Sequence, residues 1–114
     1  METICTEENP NYYAIIPANV RYDDRICANA KLLYGEITAL CNEKGFCWAG
    51  NEYFANLYKT SKETISRWIR QLKENSYIKV KIFYKKNSKE IDKRIIAIYN
   101  QYPIDENVNT PYQK

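Results

Sequence analysis

Residues 53–72 read YFANLYKTSKETISRWIRQL, and the second half of this stretch carries the first decision about the fold. Ile65, Trp68, Ile69 and Leu72 recur at i, i+3, i+4 and i+7, the spacing that lines one face of an α-helix. Glu63, Arg67, Arg70 and Glu74 fall on the opposite side. Ser61 stands just ahead of the pattern, where its hydroxyl is expected to accept a hydrogen bond from an unpaired N–H of the first turn. Two short helices joined by a three-residue turn are therefore expected, the second with one buried and one solvated face.

The spacing between the two helices narrows the reading to a helix-turn-helix. In that motif a small residue on the first helix packs against the second, with apolar residues ten and thirteen positions later; Ala55, Ile65 and Trp68 meet the requirement. Four positions after the small residue the turn calls for a left-handed backbone and usually for glycine. This chain has Lys59 there, at an expected cost of roughly 1 kcal/mol. The second helix, residues 62–75, has the traits of a recognition helix, whose N-terminal half must reach base edges in the major groove. Lys62, Glu63, Ser66 and Arg67 are expected to face bases or nearby phosphates, with Thr64 beside them and Arg70 one turn further on. Arg67 is the strongest candidate for a base contact, because a guanidinium can bind guanine O6 and N7 together. Its competing role is a surface ion pair with Glu63 or Glu74. Trp68 belongs to the apolar stripe and is read as core. Trp48 is also read as core, in preference to a base-stacking platform.

Upstream, residues 12–16 read as a short strand closed by Pro17, and residues 18–23 as a helical turn. Ala30, Leu33, Ile37, Leu40 and Cys41 then mark one face of a helix over residues 28–44. Cys27 precedes it, where serine would cap better; Gly45 supplies its stop, and Lys44 suits the negative end of its dipole. Residues 46–48 read as extended, and Gly50 with Asn51 as the cap of the next helix.

Downstream, YIKVKIFYKK alternates Ile78, Val80, Ile82 and Tyr84 with Lys79, Lys81 and Lys85, as a half-buried strand does. A second strand is expected over residues 91–99, giving a hairpin whose tip carries Lys85, Lys86 and Lys89. Directly behind a helix-turn-helix such a hairpin is a wing, and its lysines are placed to meet the phosphate backbone. The fold class is thus α+β, a winged helix-turn-helix with a three-helix core, a C-terminal hairpin and a short N-terminal strand.

Composition bounds the function. The chain has 114 residues and a net charge of +3, unevenly spread: residues 62–94 hold eleven Lys or Arg against four Asp or Glu, a balance of +7, and the remainder carries −4. The basic half begins where the expected recognition helix begins, as a phosphate-binding face requires. There is no histidine, and Cys5, Cys27, Cys41 and Cys47 form no CxxC pair, so free thiols are expected and no metal or cofactor. Three glycines form no phosphate-binding loop and no nucleophile has a recognisable base, so no enzyme is expected. Asp23 and Asp24 are neighbours in sequence and need not converge on one substrate. The N-terminus METICTEENP is no signal peptide and no apolar run reaches membrane-spanning length, which points to a cytoplasmic protein without a membrane partner.

Taken together, IPANVRYDDRICANAKLLYGEI and GFCWAGNEYFANLYKTSKETISRWIRQLKENSYI resemble the winged-helix domains at the N-termini of phage and plasmid replication proteins of low-GC Gram-positive bacteria. That group includes phage replisome organisers and relatives of the primosomal protein DnaD. AKLLY at residues 30–34, GFCW at 45–48 and SKETISRW at 61–68 are its most specific points; Lys59 and Ser76 depart from glycines common in such domains. The resemblance implies double-stranded DNA as the partner, a role in replication initiation, and a helicase or helicase loader as a companion. The same module serves transcription regulators. Winged helices also act as interaction modules without DNA, and a second wing strand with Ile96 and Ile98 on one face and Ile95 on the other would suit a homodimer. The expected organisation is a flexible N-terminus over 1–11, a winged-helix domain over 12–99 and a tail or linker over 100–114.

Overall fold

The computed structural model describes residues 13–99, apart from the side chains of residues 43 and 44. The expectations for residues 1–11, Tyr12, the Cys5 thiol, the Lys44 side chain and residues 100–114 lie outside the described residues.

Among the described residues four helices precede a hairpin: α1 (Ala18–Arg21), α2 (Ala28–Lys44), α3 (Asn51–Tyr58), α4 (Lys62–Glu74), β1 (Ile78–Tyr84) and β2 (Ile91–Ile98). This is an α+β winged helix-turn-helix. Its core is one cluster in which Ala30, Leu33, Tyr34 and Ile37 of α2 meet Phe54 and Ala55 of α3, the α4 stripe, and Ile78 and Ile96 of the sheet. The cluster follows the sequence periodicity: Ile65 and Leu72 are fully buried, and Trp68 and Ile69 are nearly so.

β1 and β2 pair antiparallel, Ile78 opposite Ile98, Val80 opposite Ile96 and Ile82 opposite Arg94. These positions face the core, so Lys79, Lys81, Phe83, Lys93, Ile95 and Ala97 fall on the other side. The register slips between Phe83 and Tyr84, which leaves Asp92 as the extra residue of a bulge. A third chain segment joins the sheet through one bridge, Cys47 N–H donating to Ile96 O at 2.8 Å and Ile96 N–H to Cys47 O at 2.9 Å.

Several expectations are corrected. No strand forms over residues 13–16; this segment instead crosses α2 at Gly35, where an added Cβ would stand 3.0 Å from Ala14 Cβ and 3.1 Å from Ile16 Cγ1. Helix packing replaces ladder pairing, and the missing side chain of Gly35 is what permits the approach. Asn51 does not cap α3: Gly50 is the N-cap residue, without a side-chain bond, and Asn51 Oδ1 accepts from Arg94 Nη1 at 2.7 Å. Arg94 Nη2 also donates to Ala49 O at 2.8 Å, so this arginine ties the start of α3 to the sheet. Burial lowers its pKa from the ordinary arginine value. Trp48 is not core, being 48% exposed, because Cys47 takes the inward position beside it.

Candidate nucleic-acid interface

The turn between α3 and α4 uses the backbone that the motif demands. Lys59 adopts φ 55° and ψ 53°, the left-handed region, and the N–H groups of Lys59 and Thr60 both donate to Ala55 O. A six-residue closure of this kind satisfies the Ala55 carbonyl in the last turn of α3. Ser76 repeats the arrangement after α4, with φ 65° and Tyr77 N–H donating to Leu72 O at 2.9 Å. Both positions that depart from glycine therefore keep a glycine-like conformation.

Ser61 caps α4 as expected, its Oγ accepting from Thr64 N–H at 3.1 Å and donating to Thr64 Oγ1 at 3.0 Å. Thr64 is thus half-covered and engaged with the cap. Lys62, Glu63, Ser66, Arg67 and Arg70 are exposed; the helical period puts Glu63, Arg67 and Arg70 opposite the buried stripe of α4, with Lys62 and Ser66 on its flank. Among the described residues Arg67 and Arg70 form no ion pair, so the competing role for Arg67, with Glu63 or Glu74, is not adopted. The unpaired N–H groups of the first turn add positive potential at the same end.

Three contacts fix the orientation of this helix. Tyr58 packs edge-on against Trp68 with ring centroids 6.2 Å apart, and its hydroxyl donates to Glu36 Oε1 at 3.0 Å. Burial, with the Glu36 carboxylate beside it, raises the pKa of that phenol. Gln71 Oε1 accepts from Cys27 N–H at 2.8 Å, which ties the exit of α4 to the entry of α2. Cys27 is the N-cap residue of α2 and its side chain makes no cap bond. Behind α4, Tyr77 Oη donates to Asp23 Oδ2 at 2.6 Å and lies 3.0 Å from Asn19 O. Arg25 clamps the same carboxylate, Nε to Oδ1 at 2.9 Å and Nη2 to Oδ2 at 2.7 Å. The Arg25 and Tyr77 hydrogen bonds hold the Asp23 carboxyl well below the usual carboxylate range. Asp23 is thus an anchor for the end of α4, a use its sequence neighbourhood did not reveal.

The wing tip is closed by Lys85 N–H to Glu90 O at 2.8 Å and by Asn87 with φ 57°. Lys85, Lys86 and Lys89 are all exposed. Lys85 Nζ lies 3.5 Å from Glu90, an exposed pair of small energetic weight. Ile82, Tyr84 and Ile91, although near the alternating apolar pattern, are 39%, 57% and 54% exposed because the hairpin runs past the core.

The solvent side of the sheet gathers cations and rings that no local sequence pattern brings together. Lys93 Nζ sits 5.1 Å from the Trp48 ring centroid and 5.4 Å from that of Phe83, Lys81 Nζ 5.6 Å from Phe83, and Lys79 Nζ 5.3 Å from Tyr99. Strand alternation placed the lysines together, but nothing local revealed that Trp48 would join them. The thiols of the described residues are free: Cys27 is exposed, Cys41 half-buried and Cys47 buried, and burial pushes the pKa of Cys47 up to about 11.

The architecture and the interface together define a helix-turn-helix module, and comparison with known families agrees. Residues 25–78, spanning α2 to the start of β1, match the family model of the helix-turn-helix domain. No curated protein and no solved structure matched the chain. Among the described residues no helix is long and apolar enough to cross a membrane.

Proposed function

We propose that this chain binds double-stranded DNA by laying α4 in the major groove while the wing tip meets the flanking phosphates. The observation that carries the reading is the solvent face of α4. Lys62, Ser66, Arg67 and Arg70 stand exposed on a helix whose cap, turn and opposite face are all fixed by packing. Lys62, Glu63, Ser66, Arg67 and Arg70 contact bases or adjacent phosphates, with Thr64 holding the first turn. Lys85, Lys86 and Lys89 contact phosphate and carry no sequence information. The domain over residues 12–99 acts without cofactor or catalysis, in the cytoplasm. The resemblance to phage and plasmid replication proteins supports a role in replication initiation, with a helicase or helicase loader as partner; a transcription regulator would use the same surface.

A salt-titrated duplex-binding assay combined with sedimentation tests the reading. Affinity that falls linearly in log–log form with salt is expected, since each phosphate contact releases counterions. A folded chain with no measurable duplex affinity at low salt would overturn DNA binding and leave the interaction-module reading, for which sedimentation reports the dimer.

A further inference from the structure

The face of the sheet turned away from the core is the feature that the duplex grip leaves unused. Lys79, Lys81 and Lys93 share it with Phe83, and Trp48 and Tyr99 flank it. Each lysine is exposed, and Trp48 and Tyr99 are 48% and 42% exposed. No acidic residue occupies the strand positions 79, 81, 83, 93, 95 or 97 that form this face. Trp48 belongs to it because the bridge between Cys47 and Ile96 turns Cys47 inward, and the next residue outward beside Ile95.

We propose that this face is a second nucleic-acid surface, one that binds single-stranded DNA. Rings set among cations are the chemistry of a single-strand platform: unpaired bases stack on the rings while the lysines track the backbone. A duplex has its bases stacked and paired internally, so it cannot use the rings, and the proposed duplex grip on α4 and the wing tip does not involve these lysines. The lysine heads lie over aromatic faces at 5.1–5.6 Å, so a base that stacks there takes the place of a lysine head, whose flexible stem lets it move to the neighbouring phosphate. The surface is built from β1, β2 and the segment around Cys47, and none of its residues belongs to α4. A chain with both surfaces would hold a duplex on α4 and an unpaired strand on the sheet.

Tryptophan emission offers a direct readout, because Trp68 is 7% exposed and Trp48 is the accessible ring. A short oligo(dT) at low ionic strength is expected to quench the emission of the full chain. Trp48→Leu is expected to abolish the quenching and to weaken oligo(dT) binding about tenfold, measured by anisotropy of a labelled strand. The triple variant Lys79→Gln, Lys81→Gln and Lys93→Gln keeps the rings. It is expected to weaken oligo(dT) at least tenfold while duplex affinity, measured at the same salt concentration, falls by no more than about twofold. Arg67→Ala is expected to do the reverse. Absence of quenching in the unmodified chain overturns the proposal, as does a triple variant in which duplex and oligo(dT) binding fall equally. Failure of duplex binding alone in the unmodified chain would break the α4 reading and leave this one standing.

Discussion

The recognition helix and the wing contribute to one proposed surface but are held in opposite ways. α4 buries Ile65, Trp68, Ile69 and Leu72 and is tied at Trp68 by Tyr58, at Gln71 by Cys27 and just beyond its end by the Asp23 anchor. The wing is held along its inner part, where Ile78 and Ile96 enter the core and Arg94 bonds Asn51 and Ala49, and its outer part exposes Ile82, Tyr84 and Ile91. A group that reads bases must be placed to within hydrogen-bond tolerance, whereas a lysine that meets a phosphate acts as a charge on a flexible stem. The rigid element therefore suits specificity and the loosely held one suits affinity.

Stability should divide along the same line. Trp68→Ala is expected to cost about 3–5 kcal/mol through the cavity it leaves, while Tyr84→Ala at the exposed end of β1 should cost under about 1 kcal/mol. Urea denaturation of both variants checks the contrast, and equal destabilisation would show that the wing is part of the cooperative core.

Binding should divide next. Arg67→Ala is expected to leave folding intact and to remove about 1–3 kcal/mol of preference at one base pair. The pair Lys86→Gln and Lys89→Gln should weaken all duplexes alike and reduce the salt slope by up to about 0.9 for each phosphate no longer neutralised. Sequence-randomised duplex competition separates the two patterns; a change of base preference in the lysine pair would erase the distinction.

The turns at the two ends of α4 provide a smaller effect. Lys59→Gly and Ser76→Gly each relieve a left-handed non-glycine residue and are expected to stabilise by about 1 kcal/mol. A drop in stability in either variant, read from the same denaturation curves, would mean that its side chain makes interactions worth more than the backbone relief.

The Asp23 anchor gives the most localised signal. Its carboxyl is held below the ordinary aspartate value of 3.8, so its stabilising effect is fully present above that value and fades as pH falls through the lower folded one. Asp23→Asn should melt lower than the unmodified chain at pH 7, and the gap should narrow below pH ~4. A gap that is constant from neutral pH down to about pH 3 would show that the anchor works by shape and not by charge.

What is legible in the sequence depends on the range over which each cause acts. The α4 stripe, the Ser61 cap, the extent of α2 and the left-handed Lys59 all follow from residues within about a dozen positions of one another. Sequence distance defeated the rest. Residues 12–16 read as a short strand closed by Pro17, a local signal, yet Ala14 and Ile16 pack on Gly35 of a helix. Asn51 looked like a cap until Arg94, 43 residues away, claimed its side-chain oxygen. Trp48 looked like core because a tryptophan usually is, and only the bridge to Ile96 turned it outward.

By itself, then, the sequence determined the helix-turn-helix, the hairpin and the residues that solvent-facing periodicity puts on α4, since period and capping act through neighbouring backbone. Tertiary structure decided which strand face meets solvent with Trp48 on it, which carboxylate anchors α4, and how far the wing outruns the core. Those outcomes depend on burial and pairing between segments distant in the chain, for which no local pattern supplies the partner.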